Sequence, residues 1–244
     1  MNTPRRIYSA PEYYLRAAAL VLTTMVYSSL FVIARICGAP RRISYPSIRN
    51  WCQVLLRIMG IKMRVEGIEN ITKGAEYILI ANHASQLDIP ALIAGVPIDS
   101  RIMYKRELMK VPFIGWALWA STFIPIRRQN ARDASATLDA TLDDLRSDPA
   151  TLIVFAEGTR SPDGMLQEFK RGAIQLAVKS GREILPVAIS GSFDLLPRNS
   201  LRFTSGVITL RIAPPVHAPS NATRTDEREL VATTHGIIAG LLRD

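Results

Sequence analysis

Several motifs that place a chain in a common enzyme class are missing here. The 244 residues contain no GxxxxGK[ST] or GxGxxG phosphate loop, no zinc-type Cys/His spacing and no Ser in a GxSxG turn. The only two cysteines, Cys37 and Cys52, have neither metal-ligand nor redox-motif spacing. A disulfide framework is therefore not expected, and a reducing compartment is favoured. These absences favour a chain that needs no bound cofactor and acts on a group activated elsewhere.

The composition describes a chain that can form a core and carries excess positive charge. Hydrophobic residues make up 48% of the sequence and charged residues 21%, which excludes a disordered protein. Lys and Arg number 30 against 21 Asp and Glu, for a formal net charge of +9. That balance favours anionic partners such as nucleic acid, anionic lipid or phosphorylated substrates, and composition does not choose among them.

The N-terminal region contains one long uncharged segment. Ala17–Ala34 runs without a charge, and a helix of that length spans about 27 Å, the short end of a membrane crossing. Arg residues flank it on both sides, so the positive-inside rule gives no clear orientation. The pattern fits a helix that dips into one leaflet and returns. A spanning anchor is an alternative; a signal peptide is disfavoured because no clean cleavage site follows.

A second segment has the pattern of an amphipathic helix. Its apolar positions at helical spacing are Ile48, Trp51, Cys52, Leu55 and Met59. Its polar positions, every four residues, are Arg49, Gln53 and Arg57. A cationic face with a tryptophan suits an anionic membrane surface, although such a helix can equally pack on the domain that follows. Residues 1–61 are therefore predicted to be membrane-associating helices.

From residue 62 to residue 244 the sequence alternates between strand and helix patterns. This predicts one α/β domain with a mixed, largely parallel sheet flanked by helices. The predicted strands are Tyr77–Ala81, Arg101–Tyr104, Thr122–Ile126, Thr151–Phe155, Ile184–Ile189 and Val207–Ile212. The predicted helices are Asp88–Val96, Ala131–Arg146, Gly172–Ser180 and Glu227–Leu242.

Among the three histidines, only His83 directly follows an apolar strand pattern and opens a polar loop. Loops at strand ends are where α/β folds place reactive groups. Asp88 could reach one imidazole nitrogen if the loop turns and Asp88 begins the next helix, which would leave the other nitrogen free as a base. Asp88 could also simply cap that helix. His217 and His235 are predicted to be structural or surface residues.

A second polar loop, Phe155–Ser161, follows another apolar strand. Gly158 allows close backbone approach, Thr159 offers a hydroxyl and Arg160 a guanidinium suited to phosphate oxygens. Glu157 could hold Arg160 or a backbone amide, and a simple turn with a local ion pair is the alternative. Basic residues at other element ends suit an anion pocket or a solvated basic face. They are Lys105, Arg106, Lys110, Arg127, Arg128, Lys170 and Arg171.

In order, these segments resemble the signatures of the glycerolipid acyltransferase family, over roughly residues 62 to 215. NHxxxxD is matched by Asn82, His83 and Asp88, and FPEGTRS by residues 155–161, with Ala156 in place of the usual proline. Leu185–Ile189 resembles the VPVAI-like strand. Arg128 aligns best with the arginine of the looser FIxR signature, and residues 110–115 look like the KxxPxxG stretch.

The resemblance implies a function and a set of roles. The chain would transfer an acyl group from acyl-CoA or acyl-acyl carrier protein, as co-substrate, to the sn-2 hydroxyl of 1-acyl-glycerol-3-phosphate. His83 would be the base and Asp88 its orienting partner. The acceptor phosphate would be held by Glu157, Gly158, Thr159, Arg160, Arg128 and Lys105. The resemblance implies no metal, no other cofactor and no nucleic acid, and a site on the cytoplasmic face of a bacterial inner membrane.

Two alternatives remain open at this point. One is an acyltransferase for another acceptor, such as a lyso-ornithine lipid or glycerol 3-phosphate. The other is a peripheral lipid-binding protein of the same fold without turnover.

Overall fold

The computed structural model describes residues 5–40, 44–121, 123–126 and 131–243. Seven strands form one sheet in the order β1-β7-β6-β2-β5-β3-β4. The strands are β1 Ile61–Glu66, β2 Ile78–Ala81, β3 Ser100–Lys105, β4 Ile124–Ile126, β5 Thr151–Phe155, β6 Ile184–Ser190 and β7 Gly206–Ile212. The helices are α1 Ala10–Ile36, α2 Ser44–Ile58, α3 Asp88–Gly95, α4 Ile114–Ala120, α5 Ala131–Ser147, α6 Gly172–Ser180, α7 Ser192–Leu195 and α8 Arg224–Leu241.

Strand direction determines where the loops of interest meet. Strands β4, β3, β5, β2 and β6 pair in parallel, whereas β7 runs antiparallel to β6 and parallel to β1. The carboxyl ends of β2, β5 and β6 therefore lie side by side at one edge of the sheet. In open α/β sheets this edge is where ligands bind.

The central strands are buried on both faces because helices cover each side. In β2, Leu79 and Ala81 pack in one cluster, with residues of α2 and α3. Ile78 and Ile80, which point to the other face, pack in a second cluster, with residues of α5, α6 and α8. This is the two-residue period of a strand in a sheet covered on both sides. The predicted mixed, largely parallel α/β fold is confirmed.

The two N-terminal helices differ in what they bury. The apolar stripe of α2 faces the domain, and Ile48, Cys52 and Leu56 are buried in the first core cluster. The alternative that this helix packs on the domain is therefore the arrangement found. In α1 only Ser28 and Phe31 are buried. Within the described residues, α1 is the one helix long and apolar enough to cross a membrane.

The two cysteines differ in burial. Cys52 is 1% exposed, and burial raises the pKa of its thiol to about 12, so it remains an uncharged, small apolar side chain. Cys37 is a free thiol on the surface at the end of α1. Neither belongs to the carboxyl edge of the sheet.

Candidate active site

Asn82 fixes the start of the loop that follows β2. Its side-chain Nδ2 donates to the carbonyl oxygen of Ile189 at 3.0 Å, and its Oδ1 accepts from the Ile189 N–H at 2.8 Å. The amide thus replaces a pair of backbone ladder bonds to β6, where β2 has ended. Asn82 is 4% exposed, so both polar ends of the amide are satisfied internally. The next residue, His83, is consequently held at the carboxyl edge of the sheet.

His83 and Asp88 meet because the loop between them turns and Asp88 begins the next helix. Asp88 is the first residue of α3, and the distance between its Oδ2 and His83 Nδ1 is 2.8 Å. The same oxygen accepts the backbone N–H groups of Ala84 and Ser85, each at 2.8 Å. Asp88 therefore both caps the turn and contacts the imidazole. The predicted contact is confirmed, and the catalytic roles of the two residues stay predictions.

The surroundings of His83 leave one ring nitrogen available. Because an ionised carboxylate can accept but not donate, its contact with the neutral imidazole assigns the proton to Nδ1 and leaves Nε2 with a free lone pair. Within the described residues, Nε2 has no hydrogen-bond partner. The ring stacks on Phe155 with centroids 3.9 Å apart, and 14% of the side chain is exposed. An oriented imidazole open to a substrate is what a general base requires.

Glu157 lies directly behind this loop, and its carboxylate contacts the His83 backbone. Oε1 accepts the His83 N–H at 3.0 Å, and Oε2 accepts from the Gln167 amide at 3.0 Å. Glu157 is 3% exposed, and burial raises its pKa to about 7. The predicted role of Glu157 in substrate binding is untested by this geometry, but both oxygens already have protein partners. Gln167 carried no sequence signal, since it lies ten residues away in a loop without a pattern.

The remainder of the loop after β5 is folded against the catalytic loop. The Ser161 N–H donates to the His83 carbonyl oxygen at 2.7 Å, and the Ser161 hydroxyl donates to Asp163 at 2.9 Å. Gly158 adopts a φ of +78°, and a Cβ there would lie 2.8 Å from Lys170 Nζ. Glycine is therefore favoured by its backbone conformation, whereas the flexible end of Lys170 could shift to make room for a Cβ. Thr159 is exposed at the turn.

The predicted phosphate-binding residues fall into two groups. Arg160 is partly buried, and its guanidinium donates to the Arg198 carbonyl oxygen at 3.2 Å. Lys105 ends β3, and its side chain lies outside the part of the structure that is described, as does all of Arg128. The structure therefore places Glu157, Gly158, Thr159 and Arg160 in the loop that contacts His83 through Glu157 and Ser161, and the placement of the other two side chains stays a prediction.

An apolar cavity of about 370 Å³ opens beside the catalytic loop. Gln86 and Leu87, which lie between His83 and Asp88 in the sequence, form part of its wall. Its other lining residues are Leu20, Val21, Thr24 and Met25 of α1, Leu55, Leu56 and Met59 around α2, and Pro90, Pro112, Phe113, Ile114 and Leu196. Most of these atoms are apolar and none of the side chains is charged, so the cavity suits a hydrocarbon chain.

The other two histidines lie away from this constellation. His235, on α8, packs edge-on against Phe169 with ring centroids 5.0 Å apart. His217 is exposed near the end of the chain segment after β7. The structure thus gives His235 a packing contact and His217 a surface position, and the catalytic role of His83 stays a prediction.

Comparison with known proteins identifies the family. A family model described as Acyltransferase matches residues 62–190, a segment that contains the loops after β2 and β5. The chain belongs to the acyltransferase family. The match begins at β1 and ends at the last residue of β6.

Several relatives of this acyltransferase carry the same printed name. The chain is 32% identical over 229 residues to a 1-acyl-sn-glycerol-3-phosphate acyltransferase of Pseudomonas aeruginosa, covering 92% of this chain and 86% of that protein. It is 32% identical over 170 residues to the alpha enzyme of Ovis aries, covering 70% of this chain. The crystal structure of the 1-acyl-sn-glycerophosphate (LPA) acyltransferase PlsC from Thermotoga maritima is similar, with a TM-score of 0.72 and 29% identity.

The extent of these matches differs. The acyltransferase chain and the Thermotoga maritima structure cover 93% and 97% of each other. Against the mammalian relatives it spans somewhat under three fifths of their length, 58% for the Ovis aries protein. The length and apolar composition of helix α1 indicate association with a membrane.

Proposed function

We propose that this acyltransferase esterifies the sn-2 hydroxyl of 1-acyl-sn-glycerol-3-phosphate and so produces phosphatidic acid. One observation carries the proposal: the His83–Asp88 pair, with Nε2 unpartnered within the described residues, lies beside an apolar cavity. The printed names of the relatives from Pseudomonas aeruginosa and Thermotoga maritima support the same acceptor. The acyl donor is acyl-CoA or acyl-acyl carrier protein.

In the proposed reaction, His83 acts first as a general base and then as a general acid. His83 Nε2 takes the proton of the sn-2 hydroxyl as its oxygen attacks the thioester carbonyl carbon, and the C–O bond forms. The tetrahedral intermediate collapses, the C–S bond breaks, and the imidazolium returns the proton to the leaving thiolate. Asp88 stabilises the imidazolium and fixes the ring orientation. Because the thioester is already activated, we propose that no metal and no further cofactor take part.

The cavity supplies a place for the hydrocarbon chain. It is bounded by the catalytic loop at Gln86 and Leu87 and extends between α1 and α2. Burying a methylene group stabilises binding by about 0.8 kcal/mol. An acyl chain in this cavity would therefore hold its carbonyl carbon near the base through apolar contacts alone.

The acceptor phosphate belongs on the polar side of His83. Arg160 and Lys170 bring positive charge to the loop after β5, and we propose that Lys105 and Arg128 add to it. Charge-assisted hydrogen bonds to the phosphate would place the sn-2 hydroxyl at the base and reduce the entropy cost of the reaction.

We propose that α1 and α4 together hold the enzyme on the bilayer. The two helices pack on one another, and the outward side chains of α1 include Leu22 (63% exposed) and Leu30 (54%). Trp116 and Trp119 on α4 are 50% and 46% exposed, as is typical of residues in the headgroup region. The positive net charge suits an anionic leaflet. Because acyl donors are made in the cytoplasm, the cytoplasmic face of a bacterial inner membrane is the proposed location.

The identity of the acceptor is tested by incubating purified protein with labelled acyl-CoA or acyl-acyl carrier protein and a panel of acceptors. The panel contains 1-acyl-glycerol-3-phosphate, glycerol 3-phosphate, lyso-ornithine lipid and other lysophospholipids in mixed micelles. Preferential conversion of 1-acyl-glycerol-3-phosphate supports the proposal. Faster conversion of a different acceptor retains the mechanism and overturns the substrate assignment. Failure to transfer to any acceptor from either donor overturns both and favours a lipid-binding protein.

A further inference from the structure

Two loops that flank the catalytic loop are tied together by a reciprocal pair of arginines. The Arg160 guanidinium donates to the Arg198 carbonyl oxygen at 3.2 Å, and the Arg198 guanidinium donates to the Arg160 carbonyl oxygen at 2.7 Å. Arg160 lies in the loop after β5. Arg198 lies 38 residues further along, in the segment between α7 and β7, which no sequence pattern had marked.

Each of these loops also contacts the catalytic loop. Ser161, next to Arg160, donates its N–H to the His83 carbonyl oxygen at 2.7 Å. Leu196, two residues before Arg198, accepts the Ser85 hydroxyl at 2.7 Å and lines the apolar cavity. The arginine pair is therefore fixed to both sides of the loop that carries His83.

Within the described residues, neither guanidinium of the pair is in direct contact with a carboxylate. Both side chains are partly buried, and within the described residues neither forms an ion pair. Each uses one donor on a neutral carbonyl, and a guanidinium carries five. A partly buried guanidinium without a carboxylate partner is stabilised when an anion binds to it. Planar guanidinium groups are well suited to phosphate oxygens.

We propose that Arg198 is a phosphate-binding residue of the acyltransferase reaction and forms, with Arg160, a two-arginine site for a substrate phosphate monoester. This inference rests on the proposed function. Two substrates could supply the group: the headgroup of the lysolipid acceptor and the 3′-phosphate of acyl-CoA. In either case Arg198 lowers the KM of the substrate whose phosphate it binds and leaves the chemistry at His83 unchanged.

The test compares Arg198→Gln with Arg202→Gln in the full chain. A glutamine at 198 removes the charge and keeps a side-chain N–H donor, on a side chain two bonds shorter than that of arginine. Arg202 lies in the same segment and is exposed, so its substitution removes an equal charge from the surface. Thermal unfolding of both variants checks that the fold is retained, and Arg198→Lys restores the charge.

Initial rates are measured with 1-acyl-glycerol-3-phosphate varied at saturating acyl-CoA, and then with the two substrates exchanged. Arg198→Gln should raise one KM by about tenfold or more with a near-normal kcat. The arm in which KM rises identifies the source of the phosphate. Arg202→Gln should match the wild type, and Arg198→Lys should recover part of the loss. Unchanged KM values in both arms, or a lower kcat alone, would overturn the proposal.

A binding measurement without turnover separates this site from the proposed function. Isothermal titration with inorganic phosphate should show binding to the wild type that is weakened in Arg198→Gln and intact in Arg202→Gln. Equal phosphate binding by all three proteins would overturn the two-arginine site even if acyl transfer is observed. Loss of phosphate binding in Arg198→Gln would support the site even if no acceptor in the panel is acylated.

Discussion

The backbone N–H of His83 donates to Oε1 of Glu157 at 3.0 Å. Through this bond the loop after β5 holds the loop after β2, and the buried carboxylate is held in turn by Gln167. The catalytic pair is thus oriented from two directions: Asp88 fixes the imidazole ring, and Glu157 fixes the backbone from which the ring projects. A displacement of about 1 Å at a catalytic group can lower a rate about 100-fold.

Substitution of Glu157 should therefore affect turnover through His83. Glu157→Ala leaves the His83 N–H without its acceptor and is expected to lower kcat by about 100-fold. Glu157→Gln retains a carbonyl oxygen for that N–H and should keep most of the activity once the Gln167 amide reverses its orientation. The measurement is steady-state kinetics with acceptor and donor each varied. A large rise in acceptor KM with an unchanged kcat in both variants would instead support direct substrate binding by Glu157.

The raised pKa of Glu157 also predicts a pH dependence of stability. Burial moves the pKa from 4.5 to about 7, so between those values the folded state binds more protons than the unfolded state. The contribution of Glu157 to the free energy of unfolding therefore falls as pH rises through this window, and its loss is complete above about pH 7. Glu157→Gln removes the titration. From pH 5 to pH 7.5 the Tm of the wild type should therefore fall relative to the Tm of Glu157→Gln. A constant difference between the two Tm values would contradict the assignment.

The tryptophans of α4 should contribute to membrane binding. Replacing Trp116 and Trp119 with Ser is expected to weaken sedimentation with phosphatidylglycerol-containing vesicles by about tenfold or more, because two partly exposed aromatic side chains can no longer insert. Ile68→Ser is the matched control. Ile68 is 45% exposed and follows β1 at the opposite edge of the sheet from His83. An equal loss of vesicle binding in the control, or none in the double variant, would contradict a membrane contact at α4.

A substitution on α1 that fills the apolar cavity should change the selectivity for acyl-chain length. Thr24 lines the cavity, whereas Leu22 is 63% exposed on the same helix. Thr24→Phe should reduce the space and lower the rate with long acyl donors more than with short ones. Leu22→Phe should leave the ratio unchanged. Competition between acyl-CoA donors of two chain lengths measures this ratio directly. An unaltered preference in Thr24→Phe would place the acyl chain elsewhere.

Much of the fold follows from sequence patterns with strong periodicity. The strand Thr151–Phe155 and the helix Gly172–Ser180 have the bounds that were predicted, because one is a continuous apolar run and the other ends at Gly181, whose φ is +67°. Strand β1 was not predicted, although Ile61–Glu66 alternates apolar and charged residues as a half-exposed edge strand does. The signal was present but short.

Helix α4 was missed for a different reason. It begins after Phe113, whose φ of +63° is unusual for a residue with a side chain, and residues 110–115 were read as a motif rather than as an element boundary. A Cβ at Gly115 would lie 2.1 Å from the Met109 carbonyl oxygen, so glycine is required by close packing. Such a requirement depends on the three-dimensional path of the chain and has no local signature.

Local sequence could indicate contacts within a loop but not those between loops. The His83–Asp88 pair was predictable because its members are only five positions apart and belong to one turn of the chain. The contacts of Glu157 with the His83 backbone and of Arg160 with Arg198 join segments that are far apart in the sequence, and their meeting is determined by the sheet order. Only when β2 lies between β5 and β6 do these partners become neighbours.

The role of His83 as general base is tested most simply by comparing acyl transfer by His83→Ala with acyl transfer by His235→Ala. Both variants remove one histidine, but His235 lies on α8 against Phe169, away from the site. Phosphatidic acid formed from labelled acyl-CoA and 1-acyl-glycerol-3-phosphate is measured at equal amounts of folded protein. We expect His83→Ala to lower kcat by about 100-fold to 10,000-fold, the usual contribution of a general base, and His235→Ala to retain near-normal turnover. Wild-type activity in His83→Ala would contradict the mechanism.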